Sequence, residues 1–165
     1  MRKSAVVIGC LAVIFAATGC GGKGTPADSA HAPAAAVDGV YDGEFFTMTL
    51  ASGWEAAPQT RGSVTVVPKD AWVPKLSFDF EDKGDAPGTA EEAVEAIIAR
   101  FEGSPMESTE IGGVEFKTTT YIFAGSTLTT HVAFRQGTKI SISIEHDDAG
   151  DNPDLQTMLD SVSPK

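Results

Sequence analysis

Residues 107–145, ESTEIGGVEFKTTTYIFAGSTLTTHVAFRQGTKISISIE, contain four strand-like runs separated by short glycine-containing turns. The runs are Glu107–Ile111, Val114–Ala124, Thr127–Arg135 and Thr138–Glu145, with turns predicted at Gly112-Gly113, Gly125-Ser126 and Gln136-Gly137. Turns this short join antiparallel neighbours, because a parallel crossover needs a dozen residues or more. The stretch therefore predicts an antiparallel meander of four strands.

Three more strands are predicted upstream of the meander. Phe45–Leu50, Ser63–Val67 and Lys75–Glu81 show alternating or β-branched apolar residues bounded by glycine or proline. The order is three strands, a helix, four strands and a second helix. It predicts an α+β protein in which helices pack on an antiparallel sheet of about 6–7 strands.

The two helices are predicted from their caps and apolar stripes. Thr89 and Glu92 form a capping box, and the apolar stripe that follows stops before Gly103. Near the C-terminus, Asn152 is the predicted cap and Pro153 the first helical residue. Leu155, Met158, Leu159 and Val162 then form the stripe of the second helix.

The N-terminus has the pattern of a bacterial lipoprotein precursor. Met1-Arg2-Lys3 is followed by an apolar run that is too short to span a bilayer and ends at Ala17-Thr18-Gly19-Cys20. This small-small-Cys junction is typical of a lipobox, at which Cys20 is lipidated with palmitate-type acyl chains. An uncleaved anchor and a plain signal peptide are the alternatives.

The lipobox divides the chain into three segments. Residues 1–19 are the predicted signal peptide, residues 20–40 the lipidated Cys and a flexible tether, and residues 41–165 the globular domain. The tether is rich in Gly, Ala and Pro, and its roughly 18 residues give a root-mean-square reach of about 25 Å. Gly21 follows Cys20, where Asp would favour inner-membrane retention. We therefore expect an envelope protein anchored in the outer membrane, facing the periplasm, if the cell has two membranes.

Charge and cysteine content exclude several classes of function. The formal net charge is −11, and removing residues 1–19, which carry two cations and no acid, would leave −13. Such an acidic chain is not expected to bind nucleic acid, or to bind anionic lipid by electrostatic attraction. Cys10 lies in the leader and Cys20 would be lipidated. The mature chain would therefore have no Cys for a disulfide, a metal or a nucleophile.

Several short motifs carry a family resemblance. They are Phe46–Leu50 with Gly53-Trp54, Glu91-Glu92-Ala93, Ile111–Glu115, Lys139–Ile142 and Met158–Val162. Together they resemble the PsbP-like family, which includes DcrB-type envelope lipoproteins, over residues 41–165. The resemblance implies an α/β/α sandwich and a non-catalytic accessory or binding protein. It does not imply a particular partner.

The acidic loop 145–154 is the candidate metal site. Asp147, Asp148, Asp151 and Asp154 are clustered around a glycine, and calcium is the cation that prefers such oxygen ligands. The loop lacks the spacing of an EF-hand. The alternative is that Asn152 caps the last helix and the carboxylates complement its positive N-terminal end. Under that alternative the protein has no cofactor.

Trp72 and His131 are the other candidate residues. Trp72 lies in a proline-bounded loop, so it is either an interface anchor or folds back over the sheet edge. Trp54, after Gly53, is predicted to be a core residue. His131 lies on a strand with Thr127, Thr129 and Arg135 on the same face. It is expected to be a surface or helix-contact residue, since no second titratable group stands at a defined spacing.

Two functional hypotheses follow from the sequence. The first is a membrane-anchored envelope lipoprotein that acts without catalysis, as an accessory or protein-binding module for an envelope protein. The second is a lipoprotein that binds a metal or a small ligand through loop 145–154. We found no catalytic motif in the sequence, so an enzyme is not expected.

Overall fold

The computed structural model describes residues 39–60, 62–82, 88–146 and 152–165. These residues form two helices and ten strands. In chain order they are β1 (Val40–Asp42), β2 (Phe46–Thr49), β3 (Trp54–Thr60), β4 (Ser63–Pro68), β5 (Lys75–Asp82), α1 (Ala90–Phe101), β6 (Glu107–Ile111), β7 (Val114–Phe123), β8 (Ser126–Arg135), β9 (Thr138–Glu145), α2 (Pro153–Asp160) and β10 (Ser163–Pro164). The predicted signal peptide, Cys20 and the tether up to residue 38 lie outside the described residues.

The predicted meander forms one half of a seven-stranded antiparallel sheet. Its strand order is β3-β4-β5-β9-β8-β7-β6, so β9 pairs with the upstream strand β5. Ile111 pairs with Val114, which confirms the Gly112-Gly113 turn. The next turn is shifted by one residue from its prediction, because Phe123 pairs with Ser126 and leaves Ala124-Gly125 as the turn.

A second, three-stranded sheet covers one face of the large sheet. Its order is β1-β2-β10, and β2 lies in the centre. Phe46 of β2 stacks on Phe78 of β5 with ring centroids 4.3 Å apart. Met158 of α2 is fully buried in the same core. The hydrophobic core therefore lies between the large sheet, the small sheet and α2.

Helix α1 packs on the opposite face of the large sheet. Phe101 stacks on Tyr121, whose side chain points away from the core residue Phe116, five positions earlier on β7. Both halves of the capping box are present, since Thr89 Oγ1 accepts from the Glu92 amide and the Glu92 carboxylate accepts from the Thr89 amide. The helix ends at Phe101, and the capping residue Glu102 has a left-handed conformation.

The close approach of the α1 C-terminus to β7 explains the glycine after Glu102. A Cβ atom at Gly103 would lie 2.7 Å from the Thr119 hydroxyl, so a larger residue would force the chain away from β7.

The structure has more strands than the predicted 6–7, because three were not predicted. β1 and β10 are two or three residues long, so they carry too few residues to show a period. β3 contains Pro58 and two alanines, a pattern with little strand character. A proline is tolerated there because β3 is an edge strand of the large sheet. The α+β class with an antiparallel sheet is confirmed.

No helix in the described part of the chain combines the length and the apolar character needed to cross a membrane.

We expect Phe78→Ala to lower the free energy of unfolding by about 3–5 kcal/mol, because it removes a buried ring and leaves a cavity. Urea denaturation of the purified chain measures the change. Ile122→Ser is the control, because Ile122 is 69% exposed and should change stability by no more than about 0.5 kcal/mol. A Phe78→Ala loss as small as that of the control would contradict the core described here.

Candidate functional site

Strand register brings four segments of the chain together at one end of the large sheet. Lys75 pairs with Glu145, Glu145 with Leu128, and Leu128 with Tyr121. The β4–β5 loop precedes Lys75 and the β7–β8 turn follows Tyr121, so both project from this end. We call the surface formed by Trp72, Lys75, Glu145, Ile122 and Phe123 the strand-end surface.

The strand-end surface concentrates exposed apolar side chains. Among the described residues, four large hydrophobic side chains are more than 40% exposed: Val40, Trp72, Ile122 and Phe123. Three of the four belong to this surface. Scattered exposed hydrophobics are ordinary, whereas a group at one end of a domain is typical of an interaction site.

A chain of polar contacts supports Trp72. The Lys75 ammonium lies 5.4 Å from the centroid of the Trp72 ring and forms an ion pair with Glu145. Ser126 donates a hydrogen bond of 2.8 Å to the same carboxylate. The hydrogen bond from Lys75 lowers the pKa of Glu145, which is therefore ionised at neutral pH. These contacts link the Trp72 loop to the start of β8.

Aromatic contacts hold the other side of the surface. Tyr121 and Phe101 stack with centroids 5.0 Å apart, and Phe123 meets the edge of Phe101 at 5.5 Å. Ala124 and Gly125 both have positive φ, as a two-residue hairpin turn of the favoured type requires. The hairpin tip is therefore a rigid support that presents Phe123 and Ile122 to solvent.

The two tryptophans differ in their exposure to solvent. Trp72 is 58% exposed and its ring lies beside Lys75, so more than half of it faces solvent, and its role as an interface anchor stays a prediction. Trp54 is buried, as predicted, and its indole N–H donates to the Asp154 carboxylate at 3.1 Å. The sequence contained no signal for Ile122 and Phe123, because their run looked like any half-buried strand.

The core-side face of β7 and β8 carries a cluster of threonines and histidines. His131 Nδ1 and the Thr118 hydroxyl form a hydrogen bond of 2.8 Å. The Thr129 hydroxyl contacts both the Thr120 hydroxyl and His146 Nε2 at 3.0 Å. His131 was expected to be a surface or helix-contact residue, and the surface part of that expectation is wrong, because only 8% of it is exposed.

The environment of His131 makes it a weak base. Burial, with a smaller contribution from His146, lowers its pKa to about 4. Its buried Nε2 atom has no hydrogen-bond partner. A hydroxyl beside an imidazole is an arrangement that can activate a nucleophile. A shielded imidazole with this pKa is poorly suited to remove a proton at neutral pH.

Of the predicted metal ligands, only Asp154 lies in the described residues. Its carboxylate accepts from Trp54, and its amide donates to the Asn152 side chain at 2.9 Å, which confirms the predicted cap. Asp147, Asp148 and Asp151 lie outside the described residues. Within the described ranges, no three acidic, histidine or cysteine side chains are placed to hold a metal. Calcium binding by the loop stays a prediction.

Comparisons with known proteins identify the fold. No protein-family model matches the chain, and a search of curated proteins found no match. Cyanobacterial PsbP (CyanoP) from Synechocystis sp. PCC 6803 is similar in structure, with a TM-score of 0.58 and 14% identity over 90% of this chain and 98% of that one. The chain therefore has a PsbP-like fold, as the sequence motifs implied.

Two other solved structures are less similar. A protein from Bacteroides thetaiotaomicron has a TM-score of 0.51 and 15% identity over 73% of this chain, which spans 45% of that protein's length. LpqN, involved in cell envelope biogenesis of Mycobacterium tuberculosis, has a TM-score of 0.46 and 12% identity over 73% of this chain and 83% of that one.

We expect the buried His131 to make the protein less stable in mild acid. Its pKa is about 4 in the folded state and 6.5 ordinarily, so between these values the unfolded chain binds more protons. The stabilisation is complete above pH 6.5 and is lost as the pH falls toward 4, by up to about 3 kcal/mol. Urea denaturation at a series of pH values measures this loss.

His131→Gln should flatten the stability profile between pH 6.5 and 5, because glutamine does not titrate. His146→Gln is the matched control and should keep most of the slope, since it leaves His131 buried. Equal slopes in wild type and His131→Gln would contradict the assignment of the pH dependence to His131.

Proposed function

We propose that this protein is a lipid-anchored, non-catalytic accessory module of the bacterial cell envelope. Its strand-end surface binds a protein partner. The observation that carries the proposal is the grouping of Trp72, Ile122 and Phe123, three exposed large apolar side chains, at one end of the sheet.

The chemistry of the surface supports protein binding. Tryptophan and other aromatic residues supply much of the energy at protein interfaces, because they bury a large area at a low entropic cost. Trp72 lies against Lys75, and Phe123 lies against Phe101, so both rings are held before a partner arrives. Holding them in place lowers the conformational entropy lost on binding.

Sequence features support the membrane anchor and the location. The basic start, the short apolar run and the Ala17–Cys20 junction together favour lipidation of Cys20. At about 0.8 kcal/mol per buried methylene, two or three acyl chains hold a protein on a membrane. Anchoring in the outer membrane, if there is one, is part of the same proposal.

The non-catalytic role is supported by the state of His131, which is the buried histidine within the described ranges. His131 is shielded from solvent and lies next to threonines, with no carboxylate among its hydrogen-bond partners. A catalytic imidazole is commonly oriented by such a carboxylate and reaches the substrate. The PsbP-like fold does not select a function by itself, since one fold hosts many functions.

We expect in-cell crosslinking to capture a partner with the wild-type protein and to capture much less with Ile122→Ser. Loss of an apolar contact that contributes strongly to an interface weakens binding by tenfold or more, which corresponds to about 1.4 kcal/mol. Mass spectrometry of the crosslinked complexes measures the yield.

Cys20→Ser distinguishes the effect of the lipid anchor from that of the strand-end surface, since it removes lipidation and leaves the domain unchanged. We expect it to lower the yield by reducing the effective concentration at the membrane. If wild type and Ile122→Ser capture the same proteins in equal amounts, the strand-end surface is not the binding site.

A further inference from the structure

The described chain begins at the same end of the domain as the strand-end surface. The Gly39 carbonyl accepts a hydrogen bond from the Leu50 amide at 2.6 Å, and Leu50 leads through a short turn into Trp54. Gly53, in that turn, accepts from the Lys69 amide at 2.8 Å. Lys69 lies three residues before Trp72, so the start of the domain is joined to the Trp72 loop by two hydrogen bonds and one turn.

The opposite end of the domain lies much farther from this point. Strand β8 has 10 residues, so the sheet is about 33 Å long at the usual rise per residue. A flexible chain of about 18 residues, the length of the predicted tether, has a root-mean-square reach of about 25 Å. If the far end of the sheet faced the membrane, the tether would have to span the length of the sheet, which exceeds its root-mean-square reach. If the strand-end surface faced the membrane, the tether would not have to span that length.

From this geometry we propose that the strand-end surface faces the membrane and binds an integral membrane protein at its membrane-proximal surface. The inference rests on the proposed function, since it needs the lipid on Cys20, and it adds the orientation of the domain and the class of partner.

The charge of the protein favours a membrane protein over lipid as the occupant. The mature chain would carry a net charge of −13, and anionic headgroups repel such a chain. The pairing of Lys75 with Glu145 cancels a cation at the centre of the surface. A protein can instead offer apolar contacts without a layer of negative charge around them.

The arrangement of the surface indicates the shape of the complementary site. The Trp72 loop leads into β5, and Phe123 ends β7, three strands away in the sheet order. At the usual strand spacing this separates the two apolar groups by about 14 Å. The Lys75–Glu145 pair lies between them. The partner should therefore have two apolar contact points with a polar strip between them.

The test uses the full-length protein in the native envelope, with photoreactive benzoylphenylalanine placed at one position at a time. Phe123 and Trp72 are the test positions. Arg135, exposed at the opposite end of β8, is the matched control. We expect test-position adducts with a protein that resists extraction by alkaline carbonate, at a yield at least fivefold above that of Arg135.

The possible adducts separate the inference from the proposed function. An integral membrane protein captured at Phe123 or Trp72, and lost in the Cys20→Ser background, supports both. A soluble envelope protein overturns the inference and keeps the proposed function. A phospholipid adduct would show that the strand-end surface contacts lipid and would overturn the inference that it binds a membrane protein. Equal yields at Arg135 overturn the orientation, and no adduct at any position overturns both proposals.

Lengthening the tether provides a second, independent measurement. Inserting 40 Gly/Ser residues between Asp38 and Gly39 should lower the Phe123 crosslink yield about sixfold at limiting expression, since effective concentration falls as the −3/2 power of length. The same insertion after Lys165 is the matched control and should leave the yield unchanged. Equal yields from the two insertions would overturn the inference.

Discussion

The two-residue turns of the meander set the register on which the structure depends. Each turn has only two residues: Gly112-Gly113, Ala124-Gly125 and Gln136-Gly137. Turns this short fix the register of the strands they join, so each residue of one strand pairs with one defined residue of the next. This register places one set of side chains against the small sheet and the other against α1. It also aligns strand ends that are far apart in sequence, so Tyr121 and Lys75 lie in one row across four strands.

The same register explains why the strand-end surface can be apolar and still rigid. Strands β7 and β8 continue for two residues beyond the end of β9, so Ile122 and Phe123 extend past the core. Backbone pairing holds both residues and the Phe101 contact holds Phe123, although burial of their side chains contributes little. Keeping large apolar groups in water forgoes about 1.5–3 kcal/mol of burial energy per side chain. This cost is consistent with a role in binding.

Some of the candidate site could be predicted from the sequence. Trp72 was identified because prolines and an aspartate mark its segment as a loop. Ile122 and Phe123 were not identified. Alternation shows which residues share a face of the sheet, but it does not show where the elements packed on that face end. The burial of His131 was missed for the same reason, since alternation does not show that its face of the sheet is covered at that position.

The sequence by itself determined the local structure: the meander, both helix caps and the acidic character of the chain. These features depend on neighbours within a few residues, through turn geometry, capping and periodicity. Only the tertiary structure decided that β9 pairs with β5, that β1, β2 and β10 form a second sheet, and that Gly39 lies at the aromatic end. Such pairings join residues as far apart in sequence as Phe46 and Pro164. Their energies come from burial against surfaces that local patterns do not encode.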